Sequence, residues 1–149
     1  MDAIADTSGL IAVFSKSEPD HTAALESVKN CPTLVLNPMV LLEMQFLLLR
    51  DTCPAMVDVA VEWVLRKEST GEVMIPEISG DTLRRAEQVR RHYAALNLDL
   101  TDAVNVVVAD NYATNVILTL DRRDFRVIRP LSIWPAFHLL PDDGPPPAP

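Results

Sequence analysis

The stretch Leu98–Phe125, LDLTDAVNVVVADNYATNVILTLDRRDF, decides the fold. It opens on a polar turn and continues as a helix capped by Thr101 and running through Ala113. A short loop follows, then a strand over Val116–Leu120 and a second acidic turn. The helix and the strand are both too apolar to face water, so both belong to a packed core. Carboxylates stand where the backbone changes type: Asp99 and Asp102 at the helix start, Asp121 and Asp124 after the strand. Acids held rigidly at the ends of core elements point to a metal site, and the rest of the chain must supply the missing ligands.

Outward from this stretch the same alternation repeats. Ala3–Ala5 reads as a strand ending at Asp6, and Thr7-Ser8-Gly9 offers caps for a helix through Phe14. Ser17-Glu18-Pro19-Asp20 has a capping-box pattern and predicts a helix to about Lys29. Thr33–Leu36 is a second strand, and Asn37-Pro38 opens a helix over Met39–Arg50. Pro54 starts another helix, Gly71 ends it, and Val73–Ile75 is a third strand. Ser79 or Asp81 caps an amphipathic helix to about Leu96. Arg126–Ile128 and Phe137–Leu140 are candidate edge strands. Strands alternating with helices imply an α/β sandwich with a mostly parallel central sheet. One domain covers residues 1–140, and the proline-rich residues 141–149 are expected to be a disordered tail.

A chain of 149 residues, 48% hydrophobic, is long enough to bury one core. Its net charge of −8 argues against nonspecific nucleic-acid binding, which rests on neutralising phosphates. That charge overstates the negative surface if several of the acids surround a cation. Cys31 and Cys53 fit neither a disulfide framework nor a zinc pattern and are read as buried free thiols. The N-terminus lacks the basic start and apolar core of a signal peptide, and the longest oily run, Met39–Leu49, is too short to cross a bilayer. A cytoplasmic protein is expected.

In an open α/β sheet, ligands bind beyond the carboxyl ends of the strands. Asp6 and Asp121 follow strands, and Asp102 sits in the first turn of a helix whose dipole favours its ionised form. Glu43 lies in MVLLEMQFLLL, apolar on nearly every face, where an unpartnered carboxylate is costly to bury. Arg50 is too far along the helix to serve it, so a cation shared with Asp6, Asp102 and Asp121 is the better physical account. Alone, Asp6 could be a cap, Asp102 could serve the helix dipole, Asp121 could be a turn residue and Glu43 could pair with an arginine from elsewhere in the fold; all four at one sheet edge point to one site. Asp99 and Asp124 are read as support. A donor set of oxygens without His or Cys suits Mg²⁺ or Mn²⁺ rather than zinc, and such ions suit phosphoryl chemistry.

IADTSGLIAVF, NPMVLLEMQFLL and LTDAVNVVVADNYATNVILTLDRRDFRVIRP together resemble a PIN-domain ribonuclease, specifically the VapC toxin of a VapBC toxin–antitoxin pair. The likeness covers the chain up to its tail. It implies a PIN-like α/β/α sandwich whose acidic cluster is Asp6, Glu43, Asp102 and Asp121. It places Thr119 as a hydroxyl near the metal, with Thr7 or Ser8 helping to hold Asp6. The implied activity is metal-dependent endonucleolytic cleavage of structured RNA, transfer or ribosomal, which inhibits translation. The implied partners are a VapB-like antitoxin and a second copy of the chain, with no membrane. Arg122 and Arg123, beside Asp121, are candidate RNA contacts, whereas Arg84, Arg85, Arg90 and Arg91 read as a solvated helix face.

Other readings fit worse. A haloacid-dehalogenase-type phosphatase needs an aspartate two residues after the first, where Ser8 stands. A receiver domain needs a lysine at a late strand end, and an aspartic protease needs two β lobes. The remaining alternative is a PIN-like binding module without catalysis, acting through its antitoxin partner.

Overall fold

The computed structural model describes residues 1–146. The elements in chain order are β1 (Ala3–Ala5), α1 (Thr7–Phe14), α2 (His21–Asn30), β2 (Leu34–Val35), α3 (Pro38–Asp51), α4 (Pro54–Ser69) and β3 (Val73–Met74). Then come α5 (Gly80–His92), a 3-10 turn (Ala94–Leu96), α6 (Leu100–Asn111), β4 (Val116–Leu118), α7 (Arg122–Phe125) and β5 (His138–Leu140). The five strands lie in the order β3-β2-β1-β4-β5, every neighbouring pair parallel. The expected sandwich is present, and the described sheet is wholly parallel.

The strands are two or three residues long; β1, β2 and β4 are buried on both faces, as parallel strands between helical layers must be, while Met74 of the edge strand β3 is exposed. Side chains alternate between two cores. Ala3, Ala5, Leu34, Leu36, Val116 and Leu118 face the layer of α1 to α4. Ile4, Val35, Ile117 and Leu139 face the layer of α5 and α6 with Phe125 of α7. The chain winds from β1 outward to β3, then returns to the other side of β1 with β4. Right-handed crossovers in opposite directions put the two sets of helices on opposite faces. They also create a switch point between β1 and β4, where the carboxyl ends open a crevice.

Gly9 lets α1 approach this switch point. A Cβ there would lie 2.3 Å from the Leu118 carbonyl oxygen, which accepts the Asp6 N–H at 3.0 Å. Only glycine fits between the helix and β4.

Several expectations change. The capping-box serine does not cap: Ser17 Oγ lies 2.9 Å from Ser15 Oγ, and α2 begins only at His21. Asp99 rather than Thr101 caps α6, accepting the Asp102 N–H at 2.8 Å. Arg126–Ile128 is not a strand: the Val127 and Ile128 N–H groups both turn back onto the Asp124 carbonyl. Cys53 is exposed and Cys31 only half-buried, so neither free thiol is a core residue. The helix around Glu43 is buried on one face only, leaving Leu42, Phe46 and Leu49 exposed. Part of the expected tail lies within the described residues and makes side-chain contacts. Asp142 and Asp143 bond Arg122 and Arg126, and Asp143 also accepts the Leu139 N–H at 2.8 Å. Residues 147–149 of the expected tail lie outside the described residues.

Candidate metal centre

Asp6 leaves β1 at the N-cap position of α1, yet its side chain makes no capping bond. Its carboxylate turns toward the switch point instead. Oδ2 accepts from Thr119 Oγ1 at 2.7 Å and Ser8 Oγ at 3.1 Å, and Oδ1 accepts from Asn105 Nδ2 at 3.2 Å. The neighbouring backbone joins the same network: Thr119 Oγ1 accepts the Asp121 N–H at 2.9 Å, and Ser8 Oγ accepts the Leu120 N–H at 2.8 Å. These bonds tie the end of β4 to the start of α1. Thr119 and Ser8 thus hold Asp6, while Thr7 serves a different acid.

Among the described residues Glu43 on α3 has no basic partner. Thr7 Oγ1 donates to its Oε2 at 2.6 Å, and Thr101 Oγ1 donates to Oε1. Two neutral hydroxyls orient the carboxylate and leave its charge uncompensated. A buried asparagine pair braces the same region. Asn105, fully buried in α6, accepts from Asn37 Nδ2 at 3.3 Å, and Asn37 caps α3 by accepting the Met39 N–H at 3.1 Å. The starts of α1, α3 and α6 are therefore locked together through polar groups inside the apolar core.

Asp102 stands in the middle of the acids. Burial raises its pKa to about 8, helped by the charges of Asp6, Asp99, Asp121 and Glu43. Asp6 is raised to about 6, mainly by burial, against the lowering effect of the Thr119 hydrogen bond. A carboxyl that resists ionisation because it is buried, with four others around it, is a group waiting for a cation. Asp121 caps the short α7, accepting the Asp124 N–H at 3.1 Å, and this turn brings Asp124 back to the site. One carboxylate oxygen from each of Asp102, Asp121 and Asp124 lies within 4.8 Å of the others, close enough to share one ion. All four expected acids gather at this edge, and Asp124, read earlier as support, stands with Asp102 and Asp121. The donors are oxygens throughout, which fits a hard divalent cation such as Mg²⁺ or Mn²⁺.

Asn105, Asn37 and Thr101 are the site residues that sequence reading missed. The one available signal was Asn105, a lone amide in the run AVNVVVA three residues after Asp102. The candidate RNA contacts are already engaged. Arg122 pairs with Asp142 and Asp20, and Arg123 donates to Asp124 Oδ1 at 3.0 Å.

The PIN domain family model matches residues 3–129. Ribonuclease VapC26 of Mycobacterium tuberculosis is 36% identical over 131 residues, spanning 87% of this chain and 93% of that protein. The crystal structure of Mycobacterium tuberculosis VapC20, a Sarcin-Ricin loop cleaving toxin, superposes with a TM-score of 0.73 at 20% identity, covering 81% of this chain and 91% of that one. VapBC2 from Rickettsia felis, bound to a DNA fragment from its promoter, gives a TM-score of 0.55 at 16% identity over 78% of this chain and 86% of that one. With the parallel sheet, the acids at its switch point and this similarity along most of the sequence, the chain belongs to the PIN-domain family, among the VapC ribonucleases.

Proposed function

We propose that this chain is the toxin of a toxin–antitoxin pair and cuts structured RNA endonucleolytically with Mg²⁺ or Mn²⁺, thereby inhibiting translation. The observation that carries the reading is the convergence of Asp6, Glu43, Asp99 and Asp121 on Asp102, with no basic side chain bonded to any of them. Such a cluster repels RNA unless cations neutralise it. Asp102, Asp121 and Asp124 are the groups we assign to direct contact with an ion, with Asp6 and Glu43 completing the set. When bound, the ion supplies an acidified water and a clamp on phosphate oxygens. The chain itself orients Asp6 through Thr119, Ser8 and Asn105, and Glu43 through Thr7 and Thr101, so no side chain must reorganise to receive the charge. An ionised carboxylate of the set is the proton acceptor for the attacking water.

The class of RNA follows the relatives: one is a ribonuclease by name, and another cleaves the Sarcin-Ricin loop. Transfer or ribosomal RNA is the substrate we assign here. A VapB-like antitoxin is the proposed partner, in line with the VapBC2 pair among the structural neighbours. The exposed Leu42, Phe46 and Leu49 of α3 supply an apolar surface for that partner or for a second copy in a homodimer. Among the described residues no helix is long and apolar enough to cross a membrane.

The test is cleavage of total RNA by the purified chain with Mn²⁺ or Mg²⁺, with and without chelator, beside Asp6→Ala. Cutting is expected with metal only and is expected to vanish in Asp6→Ala. Cutting that survives chelator or Asp6→Ala refutes the mechanism, and no cutting of any RNA favours a binding module.

A further inference from the structure

The C-terminal segment after β5 lies across α7. Arg122 Nε and Nη2 donate to the two oxygens of Asp142 at 2.5 and 2.7 Å. Arg126 Nη1 and Nη2 donate to the two oxygens of Asp143 at 2.8 and 2.6 Å. These are two consecutive fork-on-fork pairs, made by guanidiniums four residues apart, the first directly after Asp121. A guanidinium presents the same fork to a phosphate as to a carboxylate.

We propose that Arg122 and Arg126 form a docking site for the phosphodiester backbone of the RNA substrate, and that Asp142 and Asp143 occupy it as phosphate mimics until RNA displaces them. This deepens the nuclease reading and rests on it. Both arginines are about half exposed, at 46% and 45% of their side-chain surface, so the incoming strand can reach them. The carboxylates are more covered, at 25% and 27%, and the pairs are bidentate, so exchange is feasible because a phosphate remakes the same fork on each guanidinium. The sign of the local charge decides which state attracts RNA. With the segment in place, the two arginines face Asp20, Asp142 and Asp143 and the patch is net negative; with it lifted, only Asp20 remains beside Arg122. The segment therefore restrains binding at the lip of the acidic site, and the same arginines aim the displacing strand toward Asp121.

The experiment measures binding of a labelled single-stranded RNA by fluorescence anisotropy, with Mg²⁺ present and Asp6→Ala in every chain so that nothing is cut. It compares the parent, Asp142→Asn/Asp143→Asn, a chain ending at Pro141, and the double-Asn variant carrying Arg122→Ala/Arg126→Ala as well. Both relieved chains are expected to bind about tenfold tighter at low salt, with log affinity falling more steeply on log salt by about 1.4 for two added phosphate contacts. The arginine substitutions are expected to erase that gain. Parent-like or weaker binding in a folded relieved chain overturns the proposal, as does a gain that survives the arginine substitutions. If neither relieved chain keeps the parent's folded circular dichroism, the segment is a structural strap and the proposal also falls. Cleavage with Mn²⁺ is scored separately on the parent with Asp6 intact, so a failure of the nuclease reading is distinguishable from a failure of this one.

Discussion

At the scale of single residues, Asp6 and Glu43 are held by neutral groups, and the acids of the site repel one another. Asp102 bears the greatest strain, since four other carboxylates face it. Asp102→Asn removes a charge that the metal-free fold disfavours. At pH 8 with chelator the variant is expected to melt about 4 °C above the parent, the equivalent of about 1 kcal/mol at this chain length, while losing Mn²⁺ affinity. A lower melting temperature in a differential scan contradicts the repulsion argument. Thr101→Val keeps the side chain's shape and deletes one of the two donors to Glu43. Outer-shell changes of this kind cost 10–100-fold in metal affinity, so calorimetric titration with Mn²⁺ should show about a tenfold loss. Unchanged affinity means that Thr7 alone positions Glu43. Asp6, Glu43, Asp102 and Asp121 were legible in the sequence because a carboxylate beside an apolar run has few inexpensive fates. Thr101 and Asn105 were not, because a neutral polar residue in a helix is unremarkable until its partner is known. Those partners lie 58 and 99 residues away in the chain.

At the scale of elements, the sheet matters through where its short strands stop. β1 and β4 run side by side, with Ala5 opposite Leu118, so the turns that follow them deliver Asp6 and Thr119 to one point. α1 can begin there only because Gly9 lacks a side chain. A Cβ would meet the carbonyl oxygen and carbon of Leu118 at 2.3 and 2.6 Å, and main chain cannot turn aside as a flexible side chain can. Gly9→Ala is expected to cost about 3 kcal/mol by denaturant unfolding, because the clash outweighs the better helix propensity of alanine. A stabilised variant would show that α1 is free to slide on the sheet. Strand order was legible only as a class, since alternating strands and helices imply a parallel sheet without naming its neighbours. α7 escaped sequence reading for a related reason. A helix of four residues is too short for any hydrophobic period to announce, and so Asp124 read as support for the site and not as a ligand. The oily run of α3 failed differently. Apolar residues on every face suggest burial all round, but Leu42, Phe46 and Leu49 stand exposed on one side of the helix.

At the scale of the whole molecule, a net charge of −8 is concentrated where the fold tolerates it least. The pKa values of Asp6 and Asp102 are raised from 3.8 to about 6 and about 8. Below pH 4 both carboxyls are protonated in the folded and unfolded chain alike, and they cost nothing. As pH rises from 4 to 8 the unfolded chain releases these protons first, so each group withdraws stability progressively from the metal-free fold. The lowered acids, Asp51, Glu72, Asp142 and Asp143, act oppositely, contributing stability that is lost only as pH falls below about 4. Between pH 5.5 and 8 the acidic site therefore dominates the carboxylate contribution, and the metal-free melting temperature is expected to fall across that range. A divalent cation reverses the trend, because it binds the ionised carboxylates and must displace fewer protons as pH rises. At 100 times its Kd it adds about 2.7 kcal/mol, roughly 11 °C for a chain of this size. The increment on adding Mn²⁺ should be small at pH 5.5 and largest at pH 8, measured by thermal scans at fixed ionic strength. An increment that is flat or shrinks with pH would mean that the cation binds elsewhere, and that the crowded carboxyls at the switch point keep their protons for another purpose.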